Sequence, residues 1–276
     1  MDKKNVSMND VAVAAGVSLK TVSRVINEPD SVRESTRDRV HAAMEALGFR
    51  ANFAARSLKL GRYGCIGVVM FHLSGGAVDM IDGIADAAEE RGFALTMIKK
   101  RTGEKMTLAD AARRMSQLPV DGMIFNLRQM VDDFDTFEAP KDLKTVIITP
   151  MEHPNCSTVS DDQEGGARMA CEHFLNRGHK NVYFVSGKKE SLSSQCRMKG
   201  WRAALEARGI EPPEPLQGDW NADSGYAAGL ALADKPDCTA VLAANDCMAN
   251  GVMMALRDRG LRAVSYTHLR AHETGA

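Results

Sequence analysis

Several signatures that assign proteins to broad classes are missing from these 276 residues. No run of about 18 apolar residues occurs, so no membrane-spanning helix is expected. The opening MDKKNVSMNDV contains no apolar stretch, so no secretion signal is expected and the compartment implied is the cytoplasm. The six cysteines (Cys65, Cys156, Cys171, Cys196, Cys238 and Cys247) are scattered without a CxxC pair, and read as reduced, mostly buried thiols. There is no Walker A loop, no GxGxxG after a strand and no HExxH, so the chain reads as neither enzyme nor cofactor carrier. His268 and His272 have metal-ligand spacing but lie in a polar tail, and His173 and His179 bracket a helix end, so no metal site is assigned. A net charge of −1 argues against a uniformly basic surface.

The charge is unevenly placed. Residues 1–62 carry 11 Lys and Arg against 7 Asp and Glu, whereas the remainder carries 24 against 29. A basic amino-terminal module on an acidic body suggests a local contact with a polyanion. Within that module, residues 7–27 read SMNDVAVAAGVSLKTVSRVIN. Two helical patterns flank a Gly16-Val17-Ser18 turn. Val11, Ala12 and Ala15 share one face of the first, and Val22, Val25 and Ile26 one face of the second. Ser7 and Asp10 have capping-box spacing. The second helix ends near Asn27, before a Glu28-Pro29-Asp30 turn. A third helix within 31–49 turns Val40, Ala43, Met44 and Leu47 inward, with Ser35 and Asp38 as its cap and Gly48 as its stop. The outward face of the second helix shows Leu19, Lys20, Thr21, Ser23, Arg24 and Asn27, and no carboxylate before Glu28. Such a face fits a DNA major groove.

Residues 50–62 form a short, basic, Ala-rich linker whose order must come from a partner. Beyond Cys65 the pattern alternates. Strands are expected at 65–71, 94–98, 122–126, 144–149, 158–160, 181–186 and 240–244. Helices are expected at 78–91, 107–118, 131–138, 163–177, 193–208, 222–234 and 246–259. This is the pattern of parallel α/β sheets, and a break near 150–160 divides it into two lobes with a cleft between them. The closing SYTHLRAHETGA has no apolar period and reads as non-native sequence.

The strings DVAVAAGVSLKTVSRVIN, ARSLK at 55–59, DDQEGG with HFLNRGHKNVYFVSG at 161–187, RMKGW at 197–201, GDWNADSGY at 218–226 and TAVLAANDCMANGVMMALRDRGLR at 239–262 occur in one order. In them the chain resembles the LacI (lactose/galactose repressor) family of bacterial transcription regulators. It departs from that family in having Ala51-Asn52 where Pro-Asn is usual and Arg33 where a capping Ser is usual. Family members also continue past Gly260-Leu261-Arg262 with a Pro and a further strand, which the resemblance implies is absent here.

The resemblance implies an all-α helix-turn-helix headpiece joined to an α/β two-lobe, periplasmic-binding-protein-like effector domain lacking its C-terminal part. The implied divisions are a headpiece at 1–50, a hinge helix at 51–62, lobes at 63–160 and 161–264, and a tail at 265–276. Leu19, Lys20 and Arg24 would read base edges, while Ser7, Thr21, Ser23, Asn27 and Thr36 would contact phosphates. In the hinge, Asn52, Ala55, Leu58 and Lys59 are implied at the minor groove. Leu58 either wedges between base pairs or packs on the body, Ala55 lets two hinge helices approach, and Lys59 reaches a groove edge or phosphate. Effector contacts are implied for Asp161, Gln195, Arg197, Trp220, Asn245 and Asp246. Trp220 is either an aromatic floor for a pyranose or lobe core. Phe71, Gly75 and Ile81 either face the ligand or pack. The partners implied are double-stranded operator DNA, a small-molecule effector with a carbohydrate favoured, and a second copy of the chain; no membrane and no other cofactor are implied. The function read is a dimeric, effector-controlled repressor on a pseudo-palindromic operator, nucleoid-associated when bound. The alternatives are a periplasmic-type sugar-binding protein and a DNA-binding fragment that does not switch.

Overall fold

The computed structural model describes residues 6–49, 61–72 and 76–262. The chain divides into two compact units between Tyr63 and Gly64.

The amino-terminal unit is built from α1 (Met8–Ala15), α2 (Leu19–Asn27) and α3 (Glu34–Leu47), with a 3-10 turn at Pro29–Ser31. Ser7 caps α1 in a reciprocal capping box, its backbone N–H donating to the Asp10 carboxylate at 2.8 Å. Gly16 ends α1 at φ 63°, a left-handed conformation that glycine adopts without steric cost. Ser18 then caps α2, accepting the Thr21 N–H at 3.1 Å. Val11, Val22 and Val40, one from each helix, are fully buried at 0% exposure, packed with Ala12, Ala15, Val25 and Ala43. Each such valine stabilises by roughly 1.5–3 kcal/mol relative to an exposed one, which decides whether so small a core holds. Two expectations need correction. Arg33, not Ser35, is the N-cap of α3, and no side chain caps that end. Leu47 is exposed, because the core is closed by residues one and two turns earlier.

The second unit holds two parallel sheets. The first contains β1 (Cys65–Met70), β2 (Ala94–Lys99), β3 (Gly122–Asn126), β4 (Lys144–Ile148) and β5 (Ser157–Val159) in the order β2-β1-β3-β4-β5. Helices α4 (Gly76–Glu89) and α5 (Leu108–Met115) belong to this lobe. The second sheet contains β6 (Tyr183–Ser186), β7 (Leu216–Gln217) and β8 (Val241–Ala243) in the order β7-β6-β8. Its helices are α6 (Gln163–Asn176), α7 (Leu192–Glu206), α8 (Ala222–Ala233) and α9 (Asp246–Asp258). In each sheet the first strand in the chain, β1 or β6, lies between its two successors. The strand order therefore reverses there, and a crevice opens at its carboxyl end.

The first lobe packs Phe125, Ile147, Leu108 and Met115 into its core. The second stacks Trp201 on Phe184 at 5.2 Å, with the indole N–H donating to the Val182 carbonyl at 2.9 Å. The expected helix at 131–138 is a single 3-10 turn, Phe134–Thr136. The Asp133 carboxylate that precedes it is drawn to the N-terminus of α5, where it accepts the N–H groups of Leu108 and Ala109, each at 2.9 Å. The two-residue β7 was not anticipated, being too short to show a period. All six cysteines are free, but only Cys65 and Cys171 are buried, which corrects the expectation of mostly buried thiols. Burial pushes the Cys171 thiol up to about 12 and the Cys238 thiol up to about 11, so neither is a nucleophile near neutral pH. Among the described residues no helix is long and apolar enough to cross a membrane.

Candidate functional site

On the headpiece, α2 buries Val22 and Val25 and turns Leu19, Lys20 and Arg24 outward. Leu19 is 48% exposed, an apolar side chain held in solvent at the start of a helix. Lys20 and Arg24 stand one turn apart, and among the described residues neither is in an ion pair. The neighbouring polar groups are bound locally. The Thr21 hydroxyl lies 2.9 Å from the Ser18 hydroxyl, and the Asn27 amide donates to the Ser23 carbonyl at 2.8 Å and to its hydroxyl at 3.3 Å. Ser7 donates its hydroxyl to Asp10 at 2.7 Å, and Thr36 is half-buried in the first turn of α3. The free hydrogen-bonding capacity of this face therefore lies with Lys20 and Arg24, beside an apolar Leu19. The hinge positions Asn52, Ala55, Leu58 and Lys59, and Gly75 in the body, lie outside the described residues.

In the second unit a polar chain crosses the second lobe. Gln163 donates to the Asp161 carboxylate and accepts from Arg197 Nε, while Arg197 Nη1 donates to the Ala244 carbonyl. The guanidinium lies over the Trp220 ring at 5.8 Å from its centroid. Burial, and more weakly Arg128, lower the Arg197 pKa, opposed by Asp161 and Asp246; the group stays charged at neutral pH. Next in sequence, Asn245 caps α9 through Oδ1, which accepts the Met248 N–H at 2.9 Å. Its Nδ2 donates to the Trp220 carbonyl at 2.9 Å. Trp220 is the one non-glycine residue with positive φ among those described, at 80°. That conformation costs of order 1–3 kcal/mol and persists only where the surroundings impose it. Here they do so through Asn245 and through the Asp219 carboxylate, which accepts the Asn221 N–H at 2.9 Å.

The sequence-derived residues divide accordingly. Asp161, Arg197, Trp220 and Asn245 form one network, with the exposed Asp246 close enough to act on Arg197. Gln195 is exposed and donates to the Lys189 carbonyl at 2.9 Å. It lines a separate open cavity of about 460 Å³ with Ser194, Met198, Arg202 and Gln217. Phe71 is 2% exposed and meets Phe125 edge-on at 6.3 Å, and Ile81 packs against the Val68, Met70 and Ala77 cluster. Both are packing residues, because they face the sheet rather than its carboxyl rim. Sequence reasoning missed Gln163, His72, Asn126, Arg128 and Lys188. All but Gln163 follow or end a strand at its carboxyl end, and that rule of position was the available signal.

A family model for bacterial regulatory proteins of the lacI family matches residues 7–52, and one for periplasmic binding proteins and the sugar-binding domain of that family matches residues 76–269. The chain is 31% identical to the lactose operon repressor of Escherichia coli (strain K12), over 94% of this chain and 73% of that one. It is 31% identical to catabolite control protein A of Priestia megaterium, over 93% and 79%. Among solved structures it resembles the lac repressor dimer bound to operator and the anti-inducer ONPF, with TM-score 0.75 and 28% identity over 94% of this chain and 79% of that one. A transcriptional regulator CelR–cellobiose complex matches with TM-score 0.57 and 27% identity over 93% and 79%. The curated relatives carry the names of transcriptional repressors and regulators, not of enzymes.

Proposed function

The chain belongs to the LacI family of bacterial regulatory proteins and is a DNA-binding transcriptional regulator, and we propose that it represses transcription as a homodimer on a pseudo-palindromic operator. The observation that carries this is the outer face of α2, where Leu19, Lys20 and Arg24 are exposed without protein partners while Val22 and Val25 lock the helix from behind. Lys20 and Arg24 can donate to guanine O6 and N7, and Leu19 can touch a thymine methyl. Ser7, Thr21, Ser23, Asn27 and Thr36 would then fix register against phosphates, as neutral groups already oriented by their local bonds.

The two-lobe body receives a small-molecule effector at the carboxyl ends of β1 and β6, with Asp161, Arg197, Trp220, Asn245 and Asp246 on the second-lobe side. The effector acts by binding the two conformations of the body with different affinity, and thereby shifts DNA affinity. The protein works in the cytoplasm, on the nucleoid. The test is selection of duplexes from a random pool by the full chain. An enriched two-fold-symmetric site bound far more tightly than bulk DNA is expected, and Leu58→Ala is expected to weaken that site selectively. Enrichment of no sequence would overturn the reading.

A further inference from the structure

His72, Lys100, Arg128 and Lys188 gather at the carboxyl ends of four strands, β1, β2, β3 and β6, drawn from both sheets. Backbone bonds tie them to one rim. Phe71, next to His72, donates its N–H to the Asn126 carbonyl at 3.3 Å, and Lys100 donates its N–H to the Met70 carbonyl at 2.9 Å. The Arg128 carbonyl accepts the Leu192 N–H at 3.0 Å, and Gln129 bridges to Ser191. The Lys188 carbonyl accepts the Ser191 N–H at 3.0 Å, so Lys188 hangs from the same bridge as Arg128.

Burial first, then Lys100, Lys188 and Arg128, hold the His72 imidazole below its ordinary range, and no carboxylate is among the groups that act on it. The acidic groups of the rim lie elsewhere: Asp161 and Asp246 act on Arg197, and Lys188 acts weakly on Asp219. Among the described residues, Lys100 and Lys188 form no ion pair; Lys100 Nζ donates only to the Glu104 carbonyl, at 2.7 Å. Two buried polar atoms at this rim also have no hydrogen-bond partner, His72 Nδ1 and Asn126 Oδ1, although Asn126 is only 1% exposed. Buried polar atoms in folded proteins are nearly always partnered, and these two sit where an α/β sheet presents its ligand crevice. A cation-rich, carboxylate-free rim with an open acceptor matches a ligand that carries an anionic oxygen group beside hydroxyls.

We propose that His72, Lys100, Arg128 and Lys188 receive the anionic group of the effector, a phosphate ester or carboxylate carried on a polyol, so that the ligand is a charged sugar derivative and not a neutral sugar. This rests on the reading of the body as an effector receiver. The bound anion spans both lobes, with His72, Lys100 and Arg128 on one side and Lys188 on the other.

The test is calorimetric titration of the full chain with glucose 6-phosphate, fructose 1,6-bisphosphate, gluconate and inorganic phosphate, against glucose and lactose as neutral controls. At least one anion is expected to bind tenfold or more tightly than either control, with affinity falling as salt rises. Binding by inorganic phosphate, or by gluconate alone, tells phosphate ester from carboxylate. Lys100→Gln and Lys188→Gln are each expected to weaken the anion about tenfold while leaving binding to the selected DNA site unchanged. A neutral sugar binding as tightly as every anion, no heat from any anion, or full anion affinity in both variants would each overturn the proposal. An anion that binds without changing DNA affinity would instead overturn the effector-controlled reading and leave the charge assignment standing.

Discussion

Asn245 holds Trp220 in place while capping a helix. Its Nδ2 donates to the Trp220 carbonyl and its Oδ1 accepts the Met248 N–H, both at 2.9 Å. One amide thus joins the start of α9 to a tryptophan whose backbone is left-handed, at φ 80°. Asn245→Asp keeps the acceptor for the cap and loses the donor to Trp220, whereas Asn245→Ala loses both. Loss of a cap costs about 1 kcal/mol. Asn245→Ala is therefore expected to lower Tm measurably. Asn245→Asp should leave Tm near that of the parent but shift tryptophan emission, because Trp201 is fully buried and only Trp220 can change its surroundings. Unchanged emission in both variants would show that Trp220 is fixed by its other contacts.

Gly200 lies where α7 crosses α6. A Cβ there would fall 1.9 Å from the backbone carbonyl oxygen of Glu164, which no rotamer change can relieve. Gly200→Ala must push the two helices apart, at a cost of about 3 kcal/mol. Thermal melting of the full chain should show a loss of several degrees, and an unshifted melt would mean the helix pair is looser than the geometry implies.

Asp133 closes the N-terminus of α5 from a distant loop, accepting two N–H groups that would otherwise have no helical partner. Asp133→Asn keeps one acceptor oxygen and removes the charge that favours a helix N-terminus, while Asp133→Ala removes both. The expected losses are about 1 kcal/mol and about 2 kcal/mol, read from denaturant midpoints.

The headpiece was legible because its signals are local. Ser7, Asp10, Gly16 and Ser18 mark helix ends within a few residues, and three valines at helical spacing mark the core. The α/β alternation was legible for the same reason. What escaped was what the fold brings together from afar. Asp133 and Leu108 are separated by 25 residues, and neither has a local pattern that names the other. His72, Arg128 and Lys188 lie just beyond strands and look like loop polarity until the sheets align their ends. Phe71 and Ile81 were placed in the right neighbourhood, but sequence could not say which way each side chain turns. The left-handed Trp220 has no sequence signal, since only its surroundings impose a conformation that a tryptophan disfavours.

Arg24 and Lys20 differ from the polar residues beside them in having no partner within the headpiece. Arg24→Ala should cost about 1–3 kcal/mol against the selected site and much less against random duplex, narrowing the ratio between them. Its effect on Tm should be within about 0.5 kcal/mol, because the side chain is exposed. Fluorescence anisotropy at one fixed salt concentration measures both affinities, and an equal loss on both DNAs would assign Arg24 to phosphate instead.

His72 gives the body a dependence on pH whose sign is fixed. Its pKa in the folded chain is lowered by burial and then by Lys100, Lys188 and Arg128, so below the ordinary value of 6.5 the unfolded chain binds the proton more readily than the folded one. Stability therefore falls as pH drops through 6.5 toward the folded pKa, and this contribution is fully present above 6.5. An anion lodged among the same cations reverses the pressure on the ring, favouring the imidazolium. Anion binding should then take up a proton and tighten as pH falls over that window, while the ligand-free chain grows less stable. His72→Gln should flatten both curves. Titrations at pH 5.5, 6.5 and 7.5, each about one pH unit apart to span the imidazole range, would read the first, and melts at the same values the second. Anion affinity that weakened on acidification, with an unflattened slope in His72→Gln, would place the linked proton on another group.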